Sequence, residues 1–357
     1  MLTLAVARAV RGTEPLVAAE IRRARFGAVV GVRRREVWFE TRPGAGLLGL
    51  RTADDVLLAA AVVDGVGHGR SALARLARAA RGIAPDGSGP SDSSGVSGME
   101  VSASFAGRRN YTRYDIEDAV GHELARSWRL RYHSRRGGGR PPSGAMAWRV
   151  TIEGDLAVIA RRTGDRPLHR RPYKTSSIPG TLHPPLAAAM ARLAGLDAAD
   201  FRGVVLDPCC GAGTTLIEAH VLAPHAGLAG FDRDPAAVAA AAANARAVLP
   251  AAAPGPFRWG LADAGRLPVA DGSVRRVLVN PPWGRQVPPR GLLGHGLDPL
   301  WRELRRVLEP GGLAVALLHD DPGAGGGTPA GFGVEEAVQV SLSGLHPVIT
   351  VLRRRSR

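Results

Sequence analysis

Val204-Val205-Leu206-Asp207-Pro208-Cys209-Cys210-Gly211-Ala212-Gly213-Thr214-Thr215 passes from a β-branched apolar run through a glycine turn into LIEAHVL, residues 216–222. That order reads as strand, tight turn, helix. In open α/β sheets, ligands sit at the carboxyl ends of such strands. The first N–H groups of a helix favour a carboxylate or phosphate. Asp207 stands at the strand end, placed to receive an ammonium group. Asp232 ends the next apolar run, 25 residues on, where a carboxylate accepts both hydroxyls of a ribose. Taken alone, these residues also suit a glycine turn with no ligand.

The motif narrows the ligand. A dinucleotide fingerprint needs a third glycine at 216, where Leu216 stands, and no Gly-Lys-Ser/Thr follows for a phosphate loop. An acidic strand end without a pyrophosphate cradle suits S-adenosylmethionine, which carries a carboxylate, an ammonium and a ribose but no phosphate. Asp263, after the run 257–261, is then placed for the adenine amino group.

Downstream, strands and helices alternate. Strands are expected at 203–206, 227–231, 257–261 and 274–279, with helices at 214–222 and 235–248. Asp298-Pro299 opens a helix that presents Leu300, Leu304, Val307 and Leu308 on one face. Pro310-Gly311-Gly312 stops it before a strand at 313–318. Such alternation means a doubly wound, mainly parallel sheet. The runs 337–342 and 347–352 lack a helix between them and predict an antiparallel hairpin at the sheet edge. Asn280-Pro281-Pro282-Trp283-Gly284 follows the fourth strand. Two prolines hold the backbone there, so an amide side chain and carbonyls form a rigid, acceptor-rich turn. With an aromatic beside it, such a turn holds a flat ring bearing an amino group. A simple Pro-Pro loop with a packing Trp fits the same five residues.

Upstream, the pattern is α+β. A strand is expected at 2–10, and Thr13-Glu14-Pro15 starts a helix. Short strands at 27–32 and 36–40 and an apolar stretch after Asp54-Asp55 complete a first unit over 1–64. A second unit spans 65–165. Within it, 82–98 (GIAPDGSGPSDSSGVSG) is too poor in large apolar residues to order itself. A strand is expected at 99–105. Asp115 caps a helix with Asp118 as its box partner. A hairpin turns at Glu153-Gly154-Asp155. Residues 166–182 read as a linker, and 183–357 as the αβ domain.

Charge separates the halves. The chain has 47 Lys+Arg against 32 Asp+Glu, a formal +15, and Lys174 is its one lysine. Residues 1–175 hold 30 basic and 17 acidic side chains, whereas 176–357 hold 17 and 15. A basic half joined to a near-neutral one suggests a polyanion-gripping module. The two cysteines, Cys209 and Cys210, are adjacent, so they staple nothing and offer no zinc spacing. A reduced, cytosolic protein is expected, with no metal. Met1–Val10 is too short and too interrupted for a signal peptide. The Ala-rich run 236–253 holds Asn244, Arg246 and Pro250, so no membrane span is expected. The oligomeric state is left open, and a monomer is compatible with the sequence.

These residues resemble the class I S-adenosylmethionine-dependent methyltransferases, and more closely the THUMP-domain tRNA guanosine-N2 methyltransferases. DPCCGAGTTLIEA (207–219) is similar to that family's cofactor motif, and NPPWG (280–284) to its Asn-Pro-Pro-aromatic-Gly catalytic motif. LRTADDVLL (50–58), FAGRRNYTRYDIEDAVGHELA (105–125) and PLHRRPYK (167–174) resemble its N-terminal joining segment, THUMP strand–helix unit and exit connector. The family commonly has Tyr where Trp283 stands, and 82–98 is an insertion.

The resemblance implies a Rossmann-like catalytic domain preceded by ferredoxin-like and THUMP domains. It implies cofactor binding by Asp207, Pro208, Cys209, Gly211, Gly213, Thr214, Asp232 and Asp263. Asn280, Pro281, Pro282 and Trp283 would act on a guanosine of tRNA, in the acceptor-stem region first and the D-arm base second. Arg135, Arg136, Arg140, Arg170 and Arg171 are the candidates for gripping RNA. Asn-Pro-Pro-aromatic also occurs in adenine-N6 and protein-glutamine methyltransferases. Ribosomal RNA guanine-N2 methylation, nucleic-acid adenine-N6 methylation and a catalytically inactive RNA-binding module therefore stay open.

Overall fold

The computed structural model describes residues 2–42, 44–85, 98–249, 255–282, 284, 287–319, 328–342 and 344–356. Most of 82–98 lies outside them, as does Trp283. The chain forms two compact units, and the division does not follow the sequence in two blocks. The first unit takes 1–8, 18–50 and 55–168. The second takes 9–17, 51–54 and 169–357.

The first unit is built on β1 (Thr3–Arg8), β2 (Ala28–Arg33), β3 (Glu36–Thr41), β4 (Asp55–Val63), β5 (Met99–Phe105), β6 (Met146–Glu153) and β7 (Leu156–Arg162). Helix α1 (Glu14–Arg23) starts after Gly12, and α2 (Ser71–Arg81) and α3 (Arg113–Trp128) follow later. All seven strands share one sheet in the order β2-β3-β1-β4-β7-β6-β5, so the sheet runs through position 64/65 without a break. The β6–β7 turn is two residues long, with Glu153 paired to Leu156 and Gly154 at φ +56°. That left-handed conformation is what a tight hairpin demands and glycine supplies. Buried Ile116, Val120 and Leu124 of α3 pack with Val101, Trp148, Val150 and Ile159 in one core.

One helix start differs from expectation. Thr112, not Asp115, is the N-cap of α3. The Thr112 hydroxyl accepts from the Asp115 N–H at 3.3 Å, and the Asp115 carboxylate accepts from the Thr112 N–H at 2.8 Å. Asp115 is the far corner of the capping box, and Asp118 instead accepts from Tyr132, Ser134 and Arg136.

The second unit holds α4 (Pro184–Leu193), β8 (Val204–Asp207), α5 (Thr214–Leu222), β9 (Gly227–Asp232), α6 (Pro235–Arg246), β10 (Phe257–Leu261), β11 (Val274–Val279), α7 (Asp298–Val307), β12 (Leu308–Leu318), β13 (Phe332–Gln339) and β14 (Val348–Arg354). Its sheet runs β10-β9-β8-β11-β12-β14-β13. The first five are parallel. β14 lies antiparallel between β12 and β13, the edge hairpin the sequence predicts. β12 begins at Leu308, directly after α7, rather than at 313. Its regular pairing with β11 starts only at Leu313: between Val274↔Leu308 and Arg276↔Leu313, β12 carries the extra residues, so Pro310-Gly311-Gly312 lies in a bulge of β12. Strand order reverses between β8 and β11, whose carboxyl ends therefore flank the ligand crevice of such a sheet.

The apolar helix α5 contains a carboxylate, Glu218, that is 0% exposed. Its oxygens accept from Arg51 Nε and Nη2, both at 2.9 Å, from Arg171 Nε at 3.0 Å and from the Tyr173 hydroxyl at 2.8 Å. A buried charge persists when paired and hydrogen-bonded on all sides, and this one anchors 51–54 and 169–173 in the second unit. Asp54 reaches His183 Nε2 at 2.7 Å, just before α4. Gly12, at φ +98°, lies so close to the Gln339 carbonyl that a Cβ would sit 1.9 Å from it.

Candidate active site

Two turns lie side by side at the switch point. The first joins β8 to α5. Asp207 is 1% exposed, and its carboxylate accepts from the Cys209 N–H at 2.9 Å and from the Thr215 hydroxyl. Burial pushes its carboxyl up to about 7, against the pull of those two hydrogen bonds. Asp207 therefore laces the turn from inside, each carboxylate oxygen holding one partner.

Gly211 donates to Asp232 Oδ2 at 2.9 Å, and Gly213 to the Cys210 carbonyl at 2.8 Å. Gly213 has φ +78°, and a Cβ there would stand 3.0 Å from both the Ala241 Cβ and the Trp259 ring. Only glycine lets the backbone pass so close to α6 and β10. Burial pushes both cysteine thiols up, so neither is a thiolate nucleophile at neutral pH. Thr214 opens α5 with a buried Oγ1 that finds no partner among the described residues.

Asp232 ends β9, half-buried. It also accepts from the Asp234 N–H at 3.0 Å. Each carboxylate oxygen has two lone-pair sites, so both keep one for a ribose hydroxyl. Asp263, just past β10, accepts from the N–H groups of Gly265 at 2.9 Å and Leu292 at 3.0 Å, with Arg233 Nε at 3.8 Å.

The second turn follows β11. Asn280 Nδ2 donates to the Gly180 carbonyl at 3.4 Å, while Asn280 Oδ1 is buried with no partner among the described residues. A buried acceptor left unpaired costs about 1–3 kcal/mol, so it marks a place where a donor is expected. Pro281 is buried beside it and Pro282 half-buried. Gly284 turns the chain at φ +82° and donates to the Val287 carbonyl at 3.1 Å.

The structure thus assembles Gly211, Gly213, Thr214, Asp232 and Asn280 on adjoining strand ends. Orphaned Thr214 Oγ1 and Asn280 Oδ1, with the glycine cradle, fit a polar ligand carrying an amino-acid end and a ribose, as S-adenosylmethionine does.

The candidate RNA arginines divide. Arg140 and Arg170 are exposed. Arg135 is exposed, with Glu100 at 3.5 Å. Arg136 is exposed but held by Asp115 and Asp118 at 2.8 and 2.7 Å. Arg171 is corrected: it is 5% exposed and pairs with Glu218, so it is a structural cation rather than an RNA contact. The sequence reading gave no role to Glu218 or Asn244. Their shared signal is a buried polar residue within a mostly apolar helix.

An RMKL-like methyltransferase domain model matches residues 171–323. The tRNA (guanine(6)-N2)-methyltransferase of Thermus thermophilus is 31% identical over 264 residues, 73% of either chain. The tRNA (guanine(6)-N(2))-methyltransferase THUMP3 of Mus musculus is 28% identical over 220 residues, 58% of this chain and 43% of that one. Among solved structures, TrmN from Thermus thermophilus superposes with a TM-score of 0.76 at 29% identity, covering 99% of both chains. Together with the two turns at the switch point, these likenesses place the chain in the family of S-adenosylmethionine-dependent tRNA guanine-N2 methyltransferases.

Proposed function

We propose that this protein transfers a methyl group from S-adenosylmethionine to the exocyclic N2 of a guanosine in tRNA, in the acceptor-stem region. The observation that carries the reading is Asn280 Oδ1, a buried acceptor with no described partner, one strand away from the glycine turn. The relatives' names, which specify guanine 6, support the acceptor stem.

When bound, the cofactor supplies an electrophilic methyl group on a sulfonium. Gly211, Gly213 and Thr214 hold its amino-acid end at the start of α5, Pro208 and Cys209 shape that turn, Asp232 holds the ribose, and Asp263 faces the adenine. Guanine N2 is a weak nucleophile because its lone pair is delocalised into the ring. Asn280 Oδ1 and the Pro281 carbonyl accept its two N–H groups and so turn that lone pair toward the methyl. Pro282 keeps the turn rigid. Catalysis is then placement and fixed dipoles, and the proton that N2 gives up once methylated passes to water. Trp283 stacks on the flipped base, worth about 1–3 kcal/mol.

The basic first half holds the RNA through phosphate contacts, with Arg135, Arg136, Arg140 and Arg170 the contributors. Within the first unit, 1–64 supply the ferredoxin-like part and 65–165 the THUMP part; 183–357 form the methyltransferase domain, with the connector 169–182 and residues 9–17 and 51–54 packed into the same unit. No helix among the described residues is long and apolar enough to cross a membrane, and we place the protein in the cytosol.

The test is nucleoside mass spectrometry of tRNA incubated with the protein and methyl-labelled S-adenosylmethionine. Labelled N2-methylguanosine is expected, and it should vanish when guanosine 6 is replaced by adenosine. Label in N6-methyladenosine, or none, would overturn the reading.

A further inference from the structure

We infer that residues 175–181 form a strap that orients the catalytic amide, and that Asn244 is the positioning residue that holds the strap. The inference rests on the reading of Asn280 as catalytic.

Asn244 lies on α6 amid alanines and is 0% exposed. Its Oδ1 accepts from the Ser176 N–H at 2.9 Å and the Thr175 hydroxyl at 3.2 Å. Its Nδ2 donates to the carbonyls of Ser176 at 2.9 Å and Ala212 at 3.0 Å. Two donors and two acceptor sites are all used, which saturates a side-chain amide. Reversing the amide would face its oxygen against two carbonyls, so its orientation is settled by the network. One side chain therefore ties the strap to Ala212, in the middle of the glycine turn.

The strap then passes over that turn. A Cβ on Gly211 would lie 3.8 Å from Ile178 Cδ1. The strap closes on itself, with the Thr181 hydroxyl 2.6 Å from the Ile178 carbonyl and the Ile178 N–H 3.0 Å from that hydroxyl. Gly180 sits in this closure at φ +76°, and a Cβ there would stand 2.7 Å from Val287 Cγ2. Its carbonyl accepts from Asn280 Nδ2 at 3.4 Å.

This last contact decides which end of the Asn280 amide faces the crevice. With the NH2 group tied to the strap, the oxygen points away from it and stays unpaired. Were the amide turned over, it would present a donor to an amine that is itself a donor, and the nucleophile would not be oriented. Asn244 thus acts at two removes: it fixes the strap, and the strap selects the amide face. Its second bond, to Ala212, couples the same residue to the cofactor turn.

The two links separate by kinetics. Gly180→Ala displaces the carbonyl without touching the glycine turn. It should lower kcat by about 10²-fold, the cost of a misplaced reacting group, and leave the calorimetric Kd for S-adenosylhomocysteine unchanged. Asn244→Ala should lower kcat similarly and also raise that Kd by about tenfold, since one hydrogen bond of the turn is lost. A wild-type kcat in Gly180→Ala, or an Asn244→Ala protein that differs only in melting temperature, overturns the inference. If Asn244→Ala does not fold, the kcat and Kd of Gly180→Ala decide alone. Asn280→Ala run in parallel separates the two readings. If it is fully active, the catalytic assignment falls. If it is inactive while both strap variants keep wild-type kcat, only the strap falls.

Discussion

The β8–α5 turn and the turn after β11 lie on neighbouring strands and use their polar side chains in opposite ways. Asp207 has its carboxylate engaged by Cys209 and Thr215 and is closed off from solvent. Asn280 has its NH2 group engaged by Gly180 and its oxygen buried without a partner among the described residues. The first turn is a frame, its carboxylate held at both oxygens beside the orphaned Thr214 hydroxyl; in the second the side-chain oxygen itself is the orphan among the described residues. A buried polar residue at a strand end is thus not by itself a ligand contact. What distinguishes the two is which atoms remain unpaired.

The largest expected effect falls on the second turn. Asn280→Ala should lower kcat by about 10²–10³-fold, the range for removing one preorganised electrostatic group, with the thermal midpoint unchanged. Full activity in single-turnover assays would erase the contrast. Gly213→Ala strikes the frame. Its Cβ meets Ala241 and Trp259 at 3.0 Å, and overpacking costs about 1–3 kcal/mol, plus the strain of a positive φ. Urea denaturation should show an unfolding free energy lower by that amount, with a lower midpoint; an unmoved midpoint would mean the turn is looser than drawn.

Asp232 belongs to both descriptions, since it holds Gly211 and is open to a ribose. Asp232→Ala should weaken cofactor binding about tenfold or more, as expected for a hydrogen bond to a charged group. Equal calorimetric affinity would reassign it wholly to the frame. The last effect is a pH slope. Burial raises the Asp207 carboxyl from 3.8 to about 7, so between those values the folded chain retains a proton that the unfolded chain has lost. Fewer protons on the unfolded state means that stability falls as pH rises through that window. Asp207→Asn should flatten that fall in melting curves taken across pH 4 to 7; an unchanged slope would remove Asp207 as its source.

Much of this frame is visible in the sequence because its signals are local. The runs 203–206, 227–231 and 274–279 each end just before a polar residue, 257–261 ends two before Asp263, and period and turn residues mark those ends directly. The direction a strand-end side chain takes is not local. Asp207 and Asp232 look alike in the sequence, yet one is 1% exposed and holds its own turn while the other is half-buried and holds Gly211 of the neighbouring turn. Arg171 reads as a solvated cation until Glu218, 47 positions away, is seen to need a partner. The α3 cap is ambiguous in the sequence because Thr112, Asp115 and Asp118 are all capping residues at the same three-residue spacing. Trp283 has its role from sequence alone.

The Glu218 cluster bears on how this catalytic unit can be inherited. Its partners come from Arg51, Arg171 and Tyr173, so one carboxylate is neutralised by chain far upstream of the helix that bears it. A gene segment encoding 183–357 alone would carry the charge without either cation. The unit is therefore not a cassette that recombination can move by its ends. Exchange between family members has to bring the Arg51 and Arg171 codons along, or replace Glu218 in the same event.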